Sequence, residues 1–190
     1  PPAAFMSVAH APAPLGSEEF ARLVAGAGRS MADAVACDMP DWLWSELEAA
    51  LGADTRAVCD TLKTRAPVLL RVNLRKTNRA AAQAALSADV ITTTPHANVD
   101  TALEVTEGAR RIAQSRAYTD GLVELQEAAS QAVAAALPLR DGMSVLDFCA
   151  GGGGKTLAMA GLAKATFTAH DANPGRLKDL PARASRAGIK

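Results

Sequence analysis

Aromatic residues are scarce. Four Phe, two Trp and one Tyr in 190 residues are too few rings for the base-stacking platform that readers of single-stranded nucleic acid build. Cysteine is scarcer still. Cys37, Cys59 and Cys149 are odd in number, widely spaced and part of no CxxC or Cys/His cluster, which excludes a disulfide framework and a metal site and predicts reduced thiols. No stretch reaches eighteen uninterrupted apolar residues, and the start, Pro1-Pro2-Ala3-Ala4-Phe5, has neither the basic residues nor the apolar run of a secretory signal. A cytoplasmic chain with no membrane partner is therefore expected. Net charge is also lacking, with 20 Lys+Arg against 20 Asp+Glu.

What is present is a globular composition. About half the residues are apolar and a fifth are charged, enough to bury a core and too apolar for wholesale disorder. The zero net charge hides a gradient: residues 1–66 hold 5 basic and 9 acidic side chains, and residues 67–100 hold 4 and 2. A polyanion would meet the middle or the end of the chain first.

Residues 1–36, rich in Ala, Pro and Gly, read as a linker or arm with one short helix near Glu18–Val24. From there the signals sharpen. Asp38 can cap a helix, Pro40 suits its first turn, and Leu43, Leu47 and Leu51 keep four-residue spacing until Gly52. A second helix is predicted over Thr55–Thr64, a buried strand over Val68–Val72, a third helix capped by Asn78, and strands at Val90–Thr94 and around Leu103 and Val105. These make a small α+β module over residues 37–115. Trp42 and Trp44 cannot share a helix face, so one is expected in the core and the other at an interdomain contact. His10, His96 and His170 are isolated and read as structural.

After the Asp120-Gly121 turn, apolar residues from Leu125 to Leu137 keep helical spacing. Then the pattern changes. Met143–Phe148 reads as a strand, Gly151–Gly154 is a glycine block, Lys155–Leu162 a helix, Thr166–Ala169 a strand, and a further helix runs from Pro174 towards Gly188. This βαβα order over residues 116–190 opens a parallel, doubly wound α/β sheet.

The glycine block is the most informative stretch, because a strand runs straight into four residues without Cβ and then into a helix. Such a turn lets a ligand approach the backbone amides at the helix start. Three ligand classes compete. A phosphate-binding P-loop is matched by Gly154-Lys155-Thr156, but Cys149 stands where its first glycine belongs. A dinucleotide GxGxxG counted from Gly151 through Gly153 meets Thr156 in place of its last glycine. S-adenosylmethionine asks for close backbone approach and a carboxylate at the end of the second strand for its ribose hydroxyls, and Asp171 stands there.

Leu146-Asp147-Phe148-Cys149-Ala150-Gly151-Gly152-Gly153-Gly154-Lys155-Thr156 resembles the first methyltransferase motif of the Sun (Fmu, RsmB) family of bacterial RNA cytosine-5 methyltransferases, with Gly151-Gly152 replacing the family's Ala-Pro. Asp38–Leu43, Leu70-Arg71-Val72-Asn73 and Asp120–Gln131 are similar to further segments of that family in the same order. The resemblance implies an RNA-binding α+β subdomain followed by an incomplete Rossmann-like domain that uses S-adenosylmethionine. Carried over by position, Cys149, Ala150, Gly151, Gly152, Gly153, Gly154 and Lys155 line the cofactor and Asp171 holds its ribose. Cys149 is then a small residue packed near the ligand.

The implied reaction begins with a cysteine thiolate adding to C6 of a cytosine in RNA, 16S ribosomal RNA by family, which makes C5 nucleophilic. The family's Pro-Cys and Thr-Cys dipeptides occur nowhere in these residues. The chain is thus expected to be a monomeric fragment that does not turn over by itself. Arg71, Arg75, Lys76 and Arg79 cluster on and after the Leu-Arg-Val-Asn strand as a phosphate-contacting edge. Two other readings stay open: a non-catalytic RNA-binding module with a vestigial cofactor turn, and a P-loop nucleotide hydrolase.

Overall fold

The computed structural model describes residues 15–28 and 30–189. Two compact units divide the chain, residues 1–65 and 66–190. Residues 1–14, the first part of the expected arm, lie outside the described residues. Among the described residues no helix is long and apolar enough to cross a membrane.

The first unit is helical. Helix α1 (Ser17–Gly26) starts where Glu19 reaches back to accept from the Gly16 amide at 2.8 Å, satisfying a donor near the helix start. Then come α2 (Asp33–Ala36), α3 (Asp41–Leu51), a 3-10 turn at Gly52–Asp54 and α4 (Thr55–Leu62). Asp38 does not cap the helix after it. It takes φ +57° and closes α2, its own amide donating to Val35 and that of Met39 to Ala34, a left-handed helix end that Asp tolerates better than most side chains. Pro40 occupies the cap of α3 instead.

The core of this unit is small: Ala34, Cys37, Thr55 and Cys59 are buried. Neither Trp enters it, contrary to expectation. Trp44 shares a half-buried stripe with Leu43, Leu47 and Leu51, whereas Trp42 is 71% exposed, because two helical residues two positions apart project to opposite sides.

The second unit opens with β1 (Val68–Val72), α5 (Arg79–Ala88), β2 (Thr92–Pro95), β3 (Ala102–Glu107), α6 (Arg116–Thr119) and β4 (Val123–Leu125). The four strands form an antiparallel sheet in the order β2-β3-β1-β4, a ferredoxin-like βαββαβ arrangement. Strand β1 is buried on both faces. Leu70 and Val72 join Leu86, Leu103 and Val123 on one side, and Leu69 meets Val99, Ala102 and Ala128 on the other. Asn78 caps α5 as expected, its side chain accepting from the Ala81 amide at 2.9 Å. Asn78→Ala should cost about 1 kcal/mol in urea unfolding, and no loss would show the cap to be idle.

Two boundaries differ from the sequence reading. Val90 has φ +59° and ends α5, so β2 begins at Thr92. Val123–Leu125 is a strand, not the start of a helix, because Val123 pairs with Val72 and Leu125 with Leu70. The sheet therefore extends past residue 115, and α7 (Ala128–Ala135) starts three residues later than expected.

Beyond α7, β5 (Ser144–Asp147), α8 (Gly154–Leu162) and β6 (Thr166–Ala169) form a parallel βαβ unit, with Ser144 opposite Thr166 and Asp147 opposite Ala169. Helix α9 (Leu180–Ala187) follows a 3-10 turn at Pro174–Leu177, so the last expected helix is broken in two. Ala134 of α7 with Ala158 and Met159 of α8 covers Val145 and Phe167 on one sheet face. The other face is bare, with Leu146 59% and Phe148 65% exposed, although parallel sheets are ordinarily covered on both sides. This is a partial Rossmann-like sheet.

Candidate cofactor site

The site grows from the end of β5. The carbonyl of Asp147 accepts from the His170 amide at 2.9 Å, and the Ala150 amide donates to the carbonyl of His170 at 2.8 Å, so the loops after the two parallel strands are laced together. His170 also stacks on Phe148 with ring centroids 4.8 Å apart, in keeping with a structural role. The glycine block then turns sharply. Gly151 has φ +54° and Gly153 φ +78°, conformations that cost a side-chain-bearing residue about 1–2 kcal/mol. The Gly153 amide closes the turn on the carbonyl of Ala150 at 2.8 Å, and α8 starts at Gly154.

Asp171 comes to this turn. Its Oδ2 accepts from the Gly151 amide at 3.0 Å and its Oδ1 from the Asn173 amide at 2.9 Å. Those two backbone donors, Asn173 foremost and Gly151 next, hold its carboxyl below the usual carboxylate range against the opposing effect of desolvation, with lesser help from Arg176 and His170. The group is therefore anionic at neutral pH. A carboxylate offers about four acceptor positions, and two backbone donors leave room for hydroxyl donors. An added Cβ at Gly151 meets nothing within 4 Å, whereas one at Gly153 would run into Leu180 and one at Gly152 would meet Arg183, so the turn is open on its Gly151 side.

Thr156, which the sequence offers only as a motif position, has a structural partner. Its side chain is buried and its hydroxyl donates to Asp147 Oδ2 at 2.6 Å, tying the first turn of α8 to the strand beneath it. A P-loop would use a lone pair of that hydroxyl on a magnesium ion; here its proton is committed to Asp147. Sequence reasoning missed this pair because Asp147 looked like an ordinary motif residue. Lys155 and Cys149 are both exposed at the turn. Among the described residues no group of three or more His, Cys, Asp or Glu side chains is placed to share a metal ion.

The four cations read as a phosphate-contacting edge divide. Arg71 is 6% exposed, and its guanidinium donates to the Gly154 carbonyl at 2.8 Å and to Gln126 Oε1 at 2.5 Å. Arg75 donates to the Ala160 carbonyl in the last turn of α8 at 2.9 Å. Lys76 Nζ donates to the carbonyls of Asp120 and Arg186 at 2.8 and 2.6 Å. Three of the four therefore bind carbonyls within the unit: Arg71 on the inner strand β1 is buried, whereas Arg75 and Lys76, in the turn after it, are exposed and reach α8, α9 and Asp120 from the surface. Arg79, half-buried at the start of α5, lies outside this set.

A glycine turn faced by an acid after the second parallel strand, joined to a ferredoxin-like sheet, defines a partial Rossmann-like protein. Comparison narrows the class. Residues 39–112 match the RsmF/B-like methyltransferase ferredoxin-like domain, and residues 134–190 match the 16S rRNA methyltransferase RsmB/F family. Ribosomal RNA small subunit methyltransferase B of Vibrio cholerae is 35% identical over 62% of this chain and 27% of its own length. A probable methyltransferase B of Synechocystis is 30% identical over 79% of this chain and 34% of its own. The crystal structure of PH0851 superposes with a TM-score of 0.78 at 26% identity, covering 91% of this chain and 40% of that one. The chain belongs to the RsmB/Sun family of rRNA methyltransferases, and it spans about a third of the length of the curated relatives it matches.

Proposed function

We propose that this chain is the cofactor-holding part of an S-adenosylmethionine-dependent RNA cytosine-5 methyltransferase, acting as a cytoplasmic monomer on 16S ribosomal RNA. The observation that carries the reading is the meeting of the Asp171 carboxylate with the Gly151 amide at 3.0 Å. It puts a ribose-binding acid and a side-chain-free turn within one hydrogen bond of each other. Bound there, S-adenosylmethionine would supply a methyl group activated by its sulfonium.

The chain's own residues do the holding. Gly151 allows the ligand close to the main chain, the first amides of α8 lack intrahelical partners by construction, and Asp171 accepts from hydroxyls. Asp147 and Thr156 fix the helix start. Arg75 and Lys76, both exposed, and the half-buried Arg79 are the residues of the cationic cluster proposed for RNA phosphate. The nucleophile is not among these residues. Cys37 and Cys59 are fully buried in the first unit, and Cys149 follows β5 on the cofactor turn. We therefore expect the 190 residues alone to bind cofactor without turnover.

Calorimetry with S-adenosylhomocysteine and with magnesium ATP tests this reading. One equivalent of S-adenosylhomocysteine and no ATP should bind. Binding of ATP alone would overturn it in favour of a nucleotide hydrolase.

A further inference from the structure

The carbonyls of Gly152 and Gly154 both accept from arginines that lie outside the parallel βαβ unit: Gly152 from Arg183 of α9, and Gly154 from Arg71 of β1 at 2.8 Å. The peptide plane is rigid and trans, so the N–H of the next residue points opposite to the carbonyl. Holding the Gly154 carbonyl with Arg71 therefore sets the direction of the Lys155 amide, and holding the Gly152 carbonyl sets that of Gly153. A run of four glycines has more backbone freedom than any other sequence of its length. Anchoring two of its carbonyls from behind removes much of that freedom before a ligand arrives.

One acid neighbours both arginines, though of the two it hydrogen-bonds only Arg183. Glu124 of β4 stands directly opposite Arg71 in the β1–β4 pairing, and its Oε2 accepts from Arg183 at 3.3 Å and from Arg186 at 2.8 Å. It is 8% exposed. Burial draws the Arg71 guanidinium down to about 10, countered by Glu124 and furthered by Arg183. The cation thus remains charged at neutral pH in a site where an unpaired one would be costly.

We propose that Arg71 and Arg183 are positioning residues for the cofactor turn, and that Glu124 couples the turn to the ferredoxin-like sheet. Resting on the cofactor reading above, this makes the sheet a preorganising element of the site as well as a candidate RNA-binding surface. Displacement of β1 is transmitted to the Lys155 amide through Arg71, and displacement of β4 to the Gly153 amide through Glu124 and Arg183.

The test uses the full chain with S-adenosylhomocysteine calorimetry and backbone amide NMR. Arg71→Met is expected to weaken S-adenosylhomocysteine about 10-fold and to shift and broaden the Gly154 and Lys155 amides while β3 amides keep their hydrogen-exchange protection. Arg71→Lys, which retains one charged donor, should recover part of both effects. Arg183→Gln, at a more exposed position, should loosen Gly152 and Gly153 and provides the result if Arg71→Met does not fold. Arg186→Met removes a Glu124 partner that touches no glycine carbonyl, and it should leave the turn unchanged. Equal effects of Arg186→Met and Arg71→Met would overturn the proposal, as would wild-type amides at the turn in Arg71→Met and Arg183→Gln. A wild-type chain that binds no S-adenosylhomocysteine refutes the cofactor reading separately, and the amide data then decide the anchoring.

Discussion

Asp171→Asn should lower S-adenosylhomocysteine affinity on the order of 100-fold while leaving the unfolding midpoint within a few degrees, since charge-assisted hydrogen bonds to two ribose hydroxyls are lost together. The amide side chain keeps one acceptor oxygen, which can serve Gly151 or Asn173 but not both backbone groups and a ribose. The pH dependence follows from the same geometry. The folded-state pKa of Asp171 is lowered by Asn173 first and Gly151 next. Its contribution is complete above the unfolded carboxylate value of about 4 and is lost only as pH falls through the lower folded value. Affinity should therefore be flat across neutral and mildly acidic pH in the wild type. Binding that declines between pH 7 and 5 would remove Asp171 from the site, as would an Asp171→Asn chain with unchanged affinity.

Gly121→Ala should have the largest effect on stability, about 3 kcal/mol in urea unfolding. Gly121 has φ +70°, and a Cβ there would run into the backbone carbonyl of Arg186. The left-handed conformation costs about 1–2 kcal/mol and overpacking a further 1–3 kcal/mol. The obstacle is main chain, so it cannot swing away as a side-chain tip can. The neighbouring bonds would be strained together: Asn73 donates to the carbonyls of Gly121 and Ala187, both at 2.9 Å, and Lys76 donates to that of Arg186. Gly142 is the control. It has φ +82° and nothing within 4 Å of an added Cβ, so Gly142→Ala should cost about 1 kcal/mol from conformation alone. Equal losses at the two positions would show that the contact with α9 is not tight.

Much of this molecule was legible along the chain because its signals are local. The strand Val68–Val72, the Asn78 cap, the strand Thr166–Ala169 and the turn at Gly151–Gly154 each rest on neighbouring residues whose conformational preferences agree. The errors occur where a distant partner overrules a local preference. Leu125 opens a helical spacing but pairs with Leu70 of β1, more than fifty residues earlier. Asp38 has the chemistry of a helix start yet terminates the preceding helix, since both uses need the same short polar side chain.

The site shows the same division. Residue types and spacing were sufficient to nominate the glycine turn and Asp171, because a strand, a turn and a helix in succession dictate where a ligand can approach the backbone. The cationic cluster was different. Arg71, Arg75 and Lys76 carry a charge that sequence can count, but charge does not say whether a guanidinium meets a phosphate or a carbonyl. Packing β1 against α8 turned Arg71 inward, where its fork satisfies a main-chain oxygen that water can no longer reach, whereas Arg75 and Lys76 hold carbonyls from the surface. The sequence alone thus determined the order of elements, the family and the cofactor turn. Tertiary structure decided which polar side chains remained for a partner, because burial is a property of surfaces brought together from positions as far apart as residues 71 and 154.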